Sequence, residues 1–312
     1  MNADPVKLLG IDIGGTKTAL AVGTPDGRII ERREFASRAD RGPDAMLERI
    51  LAEARTLARS HRGVAAVGAS VGGPVDAERG LVLGPPNLPG WTEVHLAREL
   101  ERGLELPARI EHDAKACALA EWRYGAGRGT RNMVFLTLGT GLGAGLIVNG
   151  QLVRGVDNLA GEVGHWRISP DGPLIYGKRG SLEGWVSGTG LLALAKHLYP
   201  LRFAGTASAA EVGEAWRAGD AEATDVVTRS AHALGTALAL LVDLLAPEAV
   251  VLGNLANRLG PSFVEMVVNA MAIEALPALA ARTRILCCEL GEAIGDMAAL
   301  SVALEAYEGA RT

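Results

Sequence analysis

The stretch M-V-F-L-T-L-G-T-G-L-G-A-G-L-I-V-N, residues 133–149, decides the fold. An apolar run rich in β-formers (134–138) enters a loop with glycine at every second position: Gly139, Gly141, Gly143 and Gly145. A second apolar run (146–148) leaves it, and Asn149-Gly150 marks a tight hairpin turn. Alternating glycines remove Cβ atoms from the turn, so backbone N–H groups can approach a phosphate closely. A dinucleotide-binding loop would need G-x-G-x-x-G opening a helix. Here the spacing is G-x-G-x-G-x-G and a strand follows, which leaves a phosphate-type hairpin or a glycine-rich hairpin without a ligand.

A second loop of the same design argues for the phosphate. Residues 7–13 (K-L-L-G-I-D-I) read as a buried strand carrying one acid, Asp12. Gly14-Gly15-Thr16-Lys17 is a turn, 18–22 a second strand, Pro25-Asp26-Gly27 a further turn and 28–35 a third strand. Laying Gly15 over Gly141 puts Leu20 on Leu146 and Val22 on Val148, so the chain reads as two halves built on one plan.

Between the hairpins the period becomes helical. Met46, Leu47, Ile50, Leu51, Ala54, Leu57 and Ala58 predict a one-faced helix over 44–61. A strand over 64–70 is closed by Gly72-Gly73-Pro74, and a loop over 84–91 leads to a helix over 93–102. A short strand at 109–111 aims at Asp113, which sits where a helix cap belongs, and 114–122 continues as that helix. The second half adds a glycine-rich insertion (155–190), helices over 191–198, 209–218 and 221–245, a strand over 247–253, and an alanine-rich helix over 296–307. This order implies a small N-terminal α/β domain (1–115), a large C-terminal one (116–295), and a last helix (296–312) packing back on the first.

With 312 residues, 48% of them apolar, and a net charge of −5, the chain is long enough for two ordinary cores. No basic excess suggests nucleic acid. Cys117, Cys287 and Cys288 form no disulfide framework, which points to a reducing, cytoplasmic home. The N-terminal M-N-A-D-P has no signal-peptide pattern. The uncharged run between His232 and Asp243 is far short of the roughly 20 residues of a membrane span.

Several motifs then converge: D-I-G-G-T-K (12–17), G-G-P-V-D (72–76), P-N-L-P-G-W (86–91), E-H-D-A-K (111–115), L-G-T-G-L-G-A-G (138–145), G-E-V-G-H (161–165) and P-E-A-V-V-L-G (247–253). In this order the chain resembles the ROK family of sugar kinases and repressors, within the actin/hexokinase-like ATPase superfamily. The resemblance implies a two-lobed, ribonuclease H-like α/β fold with mixed sheets flanked by helices. It also implies a cleft that takes a sugar and a nucleotide, and a homodimer. ATP phosphates would be held by Gly14, Gly15, Thr16 and Lys17 and by Gly139, Thr140, Gly141 and Gly143, with Gly253 near the adenosine. Asp12 would reach Mg²⁺ through water, as suits a hard cation that keeps part of its hydration shell. Asp113 would be the catalytic base, because phosphoryl transfer to a hydroxyl is mostly positioning and charge neutralisation, with one base for the proton. Glu162, His165 and Glu183 resemble the sugar-hydroxyl contacts, with Gly73, Asn87 and His112 facing the same space. The competing reading makes Asp113 a helix cap.

The chain also departs from the family. Most members carry a zinc site, C-x-C-G-x-x-G-C, after the histidine; here its cysteine positions read Leu174, Tyr176 and Ser181. One histidine is not a zinc site, so no structural zinc is expected. A hydrogen bond from Tyr176 or Ser181 is expected to hold the His165 ring instead. The family's N-D-A-N reads His112-Asp113-Ala114-Lys115 here. His112 can alter the hydroxyl pattern that is read, while Lys115 faces another side of the helix as a packing or surface change.

The expected activity is ATP- and Mg²⁺-dependent phosphorylation of glucose or a related hexose at the 6-hydroxyl. The alternative is a non-catalytic sugar-binding regulator. A repressor would carry a helix-turn-helix before the first glycine loop, for which Asp12 leaves no room. The motifs choose neither the sugar nor between ATP and polyphosphate as donor.

Overall fold

The computed structural model describes residues 5–311; the M-N-A-D of the signal-peptide argument and Thr312 lie outside the described residues. The chain divides into two compact units. The first comprises the chain up to Arg128, Leu152–Ala160 and the chain from Leu290; the second comprises Gly129–Gln151 and Gly161–Glu289.

The first unit is built on a five-stranded sheet. Its strands are β1 (Lys7–Ile13), β2 (Lys17–Gly23), β3 (Ile29–Ala36), β4 (Val64–Val71) and, after the short pair β5 (Val75–Asp76) and β6 (Leu81–Val82), β7 (Ala108–His112). The order is β3-β2-β1-β4-β7, with β1 antiparallel to β2 and parallel to β4, and β4 parallel to β7. Strand periodicity puts Leu9, Ile11 and Ile13 on one face, in a core with Ile50 and Leu57 of α1 (Pro43–Ser60) and Leu96 and Leu100 of α2 (Leu96–Leu104).

The opposite face carries Leu8, Gly10 and Asp12 and is covered by α3 (Asp113–Tyr124) and the C-terminal helix (Ile294–Gly309). That helix lies very close to the strands. A Cβ at Gly10 would sit 2.7 Å from the Leu300 backbone nitrogen, and one at Gly68 would sit 2.1 Å from that of Ala303. Glycine under an alanine-rich helix is how this layer becomes so thin.

The second unit repeats the plan. Its strands are β8 (Met133–Leu136), β9 (Ala144–Val148), β10 (Gln151–Leu152), β13 (Ala249–Leu252) and β14 (Arg284–Cys287), in the order β10-β9-β8-β13-β14. Again the first strand is antiparallel to the second and parallel to the fourth-placed one. This twofold sheet is the ribonuclease H-like arrangement of the actin/hexokinase-like fold. Asn149 and Gly150, both at positive φ (53° and 76°), make the turn between β9 and β10.

Between β10 and β13 come the small hairpin β11 (Leu174–Ile175) and β12 (Lys178–Arg179), then α4 (Leu182–Val186), α5 (Gly188–Leu198), α6 (Ala209–Arg217) and the long α7 (Ala221–Leu245). The elements α8 (Asn254–Leu259), α9 (Pro261–Glu274) and α10 (Pro277–Ala280) precede β14. The core gathers Leu234, Leu238 and Val242 of α7, Phe263, Val267 and Met271 of α9, and Val134 and Leu136 of the sheet.

These boundaries differ from those read along the chain. The first unit extends to Arg128 rather than ending at 115, because α3 packs on the C-terminal helix and on β7. The segment Leu152–Ala160 also belongs to it, held by side chains of β7 and α3 described below. No helix among the described residues is long and apolar enough to cross a membrane.

Candidate active site

Register fixes the carboxyl edge of the first unit. Ile13 of β1 pairs with Val71 of β4, and Val71 pairs with His112 of β7, so the three parallel strands end level. The next residues, Gly14, Gly72 and Asp113, therefore emerge together at the carboxyl edge, where open α/β sheets place their ligands.

At this edge Asp12 is partly buried, and its carboxyl is pushed up to about 6. Burial is the main cause, followed by the negative charges of Asp113 and Asp296; Lys17 and Arg32 act in the other direction. The first turn of the C-terminal helix approaches so closely that a Cβ at Gly295 would lie 2.4 Å from Asp12 Oδ2. Asp296 accepts a 2.6 Å bond from Arg32 Nε, and Arg32 also bonds Glu34. No local pattern marks Gly295 or Asp296 as neighbours of Asp12, since they lie at the other end of the chain.

Asp113 opens α3, yet the cap is His112, whose Nδ1 accepts the Ala114 N–H at 3.2 Å. Asp113 Oδ1 also accepts from Ala114 N–H, at 2.6 Å, and lies 3.3 Å from His112 Nδ1. Its side chain is 55% exposed, so the carboxylate is open to a ligand. The His112 ring edge lies against Gly73: a Cβ there would be 2.4 Å from His112 Cδ2.

The turn at Gly14–Lys17 is tight, with Gly14 N–H donating to the Lys17 carbonyl at 3.0 Å. Gly15 is glycine because the Asn87 loop leans on it, with the Asn87 carbonyl oxygen 2.3 Å from where a Cβ would stand. The Asn87 side-chain amide in turn lies beside Gly72. The N–H groups of Gly15 and Thr16 donate to no protein acceptor among the described residues. Lys17 is exposed and its Nζ pairs with Glu34 at 3.2 Å.

Behind this edge is a buried polar network. Glu111 accepts from the His112 N–H (2.9 Å), Asn158 Nδ2 (2.9 Å) and Arg154 Nε (2.8 Å), and Arg154 also reaches Glu305 at 2.7 Å. Lys115 is fully buried and donates to the Asn158 carbonyl at 2.8 Å. It is thus an internal packing residue and not a surface change. The network ties 152–160 to the strand that ends at His112 and to the helix that Asp113 opens.

The second unit has its own edge. Leu136, Leu252 and Cys287 end level on β8, β13 and β14, so Thr137 and Gly253 emerge together. Gly253 admits no side chain, because a Cβ would meet the Thr137 carbonyl oxygen at 1.8 Å. Residues 137–143 form a closed loop. Thr137 N–H donates to the Gly143 carbonyl at 3.0 Å, and Gly143 N–H donates to Thr137 Oγ1 at 2.9 Å. The Gly139 and Thr140 carbonyls accept from the first N–H groups of α5, at Gly188 (2.8 Å) and Thr189 (3.2 Å). Here too two successive N–H groups, those of Thr140 and Gly141, have no protein acceptor among the described residues.

Glu183 joins this loop to the insertion: its Oε2 accepts the Leu142 N–H at 2.8 Å and the Tyr176 hydroxyl at 2.6 Å. The His165 ring is stacked on Tyr176, with centroids 3.9 Å apart and planes at 17°. Glu162 and His165 are both exposed. The expected hydrogen bond to the His165 ring is thereby corrected: Tyr176 holds the ring by its face, and Ser181 Oγ is buried with no hydrogen-bond partner among the described residues. Leucine, tyrosine and serine supply no zinc ligand set. Among the described residues no group of three or more His, Cys, Asp or Glu could hold a metal ion.

The sequence profile described as the ROK family matches residues 8–304. The chain belongs to the ROK family. It is 32% identical to a glucokinase of Halalkalibacterium halodurans, over 92% of each chain. It is 36% identical to an N-acetylmannosamine kinase of Escherichia fergusonii, over 79% of this chain and 82% of that one. A crystal structure of a ROK family glucokinase from Streptomyces griseus, in complex with glucose and AMPPNP, matches with a TM-score of 0.77 and 31% identity, covering 96% of this chain and 99% of the other.

Proposed function

We propose that this sugar kinase of the ROK family transfers the terminal phosphoryl group of ATP to a hydroxyl of glucose or a related hexose, with Asp113 as general base. The observation that carries the reading is the exposure of Asp113 at the carboxyl edge. It shares the Ala114 N–H with His112, yet its side chain stays 55% exposed, so the carboxylate can still meet a ligand. Its carboxylate accepts the proton of the attacking hydroxyl, work worth typically 10²–10⁴ in rate.

The two pairs of unpartnered N–H groups, Gly15 with Thr16 and Thr140 with Gly141, are assigned to phosphate oxygens, as successive amides make anion-binding concavities. Lys17 exchanges its exposed partner Glu34 for phosphate readily, since such surface pairs are worth at most about 1 kcal/mol. Gly253 is assigned to the adenosine side. Asn87, His112, Glu162, His165 and Glu183 are assigned to the sugar hydroxyls, which suit directional carboxylate, amide and imidazole partners.

Asp12 fits a hard cation. Its carboxyl stands at about 6 through burial and two neighbouring acids, a local excess of negative charge that a cation relieves. One carboxylate is no cage, which suits Mg²⁺, since it keeps several waters and binds substrate phosphates. When bound, Mg²⁺ supplies neutralisation of phosphate charge.

The test is ADP release from Mg-ATP over a panel of hexoses and N-acetylhexosamines, with Asp113→Asn beside the native chain. One sugar turned over well, and lost in the variant, supports both the activity and the base. Turnover that survives Asp113→Asn removes the base. Sugar binding in calorimetry without ADP release, with polyphosphate also tried as donor, favours the non-catalytic regulator.

A further inference from the structure

The geometry points to Tyr176 as the positioning residue of the His165–Glu183 pair, a protein strut that sets the sugar contacts of the second unit. The inference rests on the assignment of His165 and Glu183 to the sugar. Two contacts of Tyr176 carry it, and both lie within the second unit.

Tyr176 stacks face to face on the His165 imidazole, at 3.9 Å and 17°. Its hydroxyl donates to Glu183 Oε2 at 2.6 Å. One ring thus sets two neighbours at once: the plane of the imidazole and the rotation of the carboxylate. The phenol is held well above its ordinary range, first by burial and then by the bond to Glu183, so it remains a donor throughout the working range.

The backbone holds Tyr176 in that place. Tyr176 and Gly177 form the two-residue turn between β11 and β12, both at positive φ (55° and 70°). A two-residue turn of this kind matches strand twist but prefers Asn-Gly; a tyrosine at its first position is strained. The hairpin is fastened to the His165 segment by Ile168 N–H to the Gly180 carbonyl (2.9 Å) and Leu182 N–H to the Trp166 carbonyl (2.7 Å). Lys178 Nζ adds a bond to the His165 carbonyl itself.

What the strut leaves open defines how a ligand is met. Glu183 Oε2 is filled by Tyr176 and Leu142, which leaves Oε1 for one hydroxyl. One face of His165 is covered, so the ring meets a ligand by its edge nitrogens. Tyr176 acts on affinity for the sugar through these two groups and not on the phosphoryl transfer.

The experiment combines histidine-ring NMR and kinetics on Tyr176→Phe and Tyr176→Leu. With six histidines in the chain, His165→Gln assigns the signal. Ring current from a stacked phenol moves the His165 ring protons upfield in the native chain and in Tyr176→Phe. In Tyr176→Leu they return to the position of an exposed histidine. For the sugar, Tyr176→Phe raises KM about three- to tenfold, as losing one hydrogen bond does, and Tyr176→Leu raises it further, with kcat little changed in both. Unshifted His165 protons in Tyr176→Leu, or an unchanged sugar KM in that variant, overturn the proposal. If no sugar is turned over, the ring signals decide the stack and calorimetry of sugar binding replaces KM.

Discussion

The two units share a strand order, β3-β2-β1-β4-β7 in one and β10-β9-β8-β13-β14 in the other, but not what they set at its edge. Taking the last hairpin pairs as equivalent, Ile13–Thr18 and Leu136–Ala144, the place of Asp12 is taken by Phe135. Four residues lie between Ile13 and Thr18 and seven between Leu136 and Ala144, so the second glycine loop is three longer. The first unit carries Asp12 on the sheet and Asp113 at the first residue beyond it, where α3 begins. The second unit draws its acids, Glu162 and Glu183, from the insertion that follows its hairpin. One framework thus supports two edge chemistries, because the pairing register builds the sheet while the loops beyond it build the site.

The sharpest way to break this contrast is Asp113→Asn. Turnover should fall by about 10²–10⁴, while sugar binding in calorimetry persists. A comparable loss from Gly141→Ala without loss of folding would instead place the decisive chemistry in the second unit.

The next largest effect separates structural glycines from ligand-facing ones. Gly253→Ala drives a methyl into the Thr137 carbonyl and should destabilise the chain by about 3 kcal/mol in denaturant unfolding. A Cβ at Gly139 meets nothing nearer than 4.0 Å, so Gly139→Ala should change stability by no more than about 0.5 kcal/mol and raise the KM for ATP.

Asp12 yields a pH-dependent test with a definite sign. Its carboxyl is raised from 3.8 to about 6 on folding, so between these values the folded chain holds a proton that the unfolded chain has lost. Its destabilising contribution is absent below pH 4, grows from pH 4 to 6, and is complete above, at about 2–3 kcal/mol. Without Mg²⁺, Asp12→Asn should therefore gain stability above pH 6 and be neutral below pH 4. A gain that does not vary with pH would remove the buried-charge account.

The smallest effect tests the cap. His112→Asn restores the side chain common in the family and can still accept from the Ala114 N–H. It should cost well under 1 kcal/mol, while His112→Ala costs more but no more than about 1 kcal/mol, because Asp113 Oδ1 still accepts the same N–H. A change in the ranking of sugars with His112→Asn would show that the ring also reads the ligand.

Much of this was legible because local rules agree with the fold. The run K-L-L-G-I-D-I alternates between two buried faces, and the glycine loops announce themselves by spacing. Other parts carry no such signal. Helix α9 is apolar on nearly every side, with Phe263, Val264, Met266, Val267, Val268, Ala270 and Met271, so no amphipathic period marks it. Strand β14 has four residues and no turn residues at its start. Asp113 reads as a cap from composition, but it shares the Ala114 N–H with His112, whose imidazole nitrogen reaches it from the end of the strand. Lys115 reads as either a packing or a surface change, and a long-range carbonyl from Asn158, which receives it in the core, decides for packing.

By itself the sequence determined the doubled hairpin, the two glycine loops and the loss of the cysteine ligands, since each depends on residues close together in the chain. Only the tertiary structure decided which distant groups share a field: Asp12 with Gly295 and Asp296, Glu111 with Arg154 and Asn158, and Tyr176 between His165 and Glu183. The physical reason is that register and helix packing set separations of a few ångströms, and charge, stacking and hydrogen bonding act only at those separations.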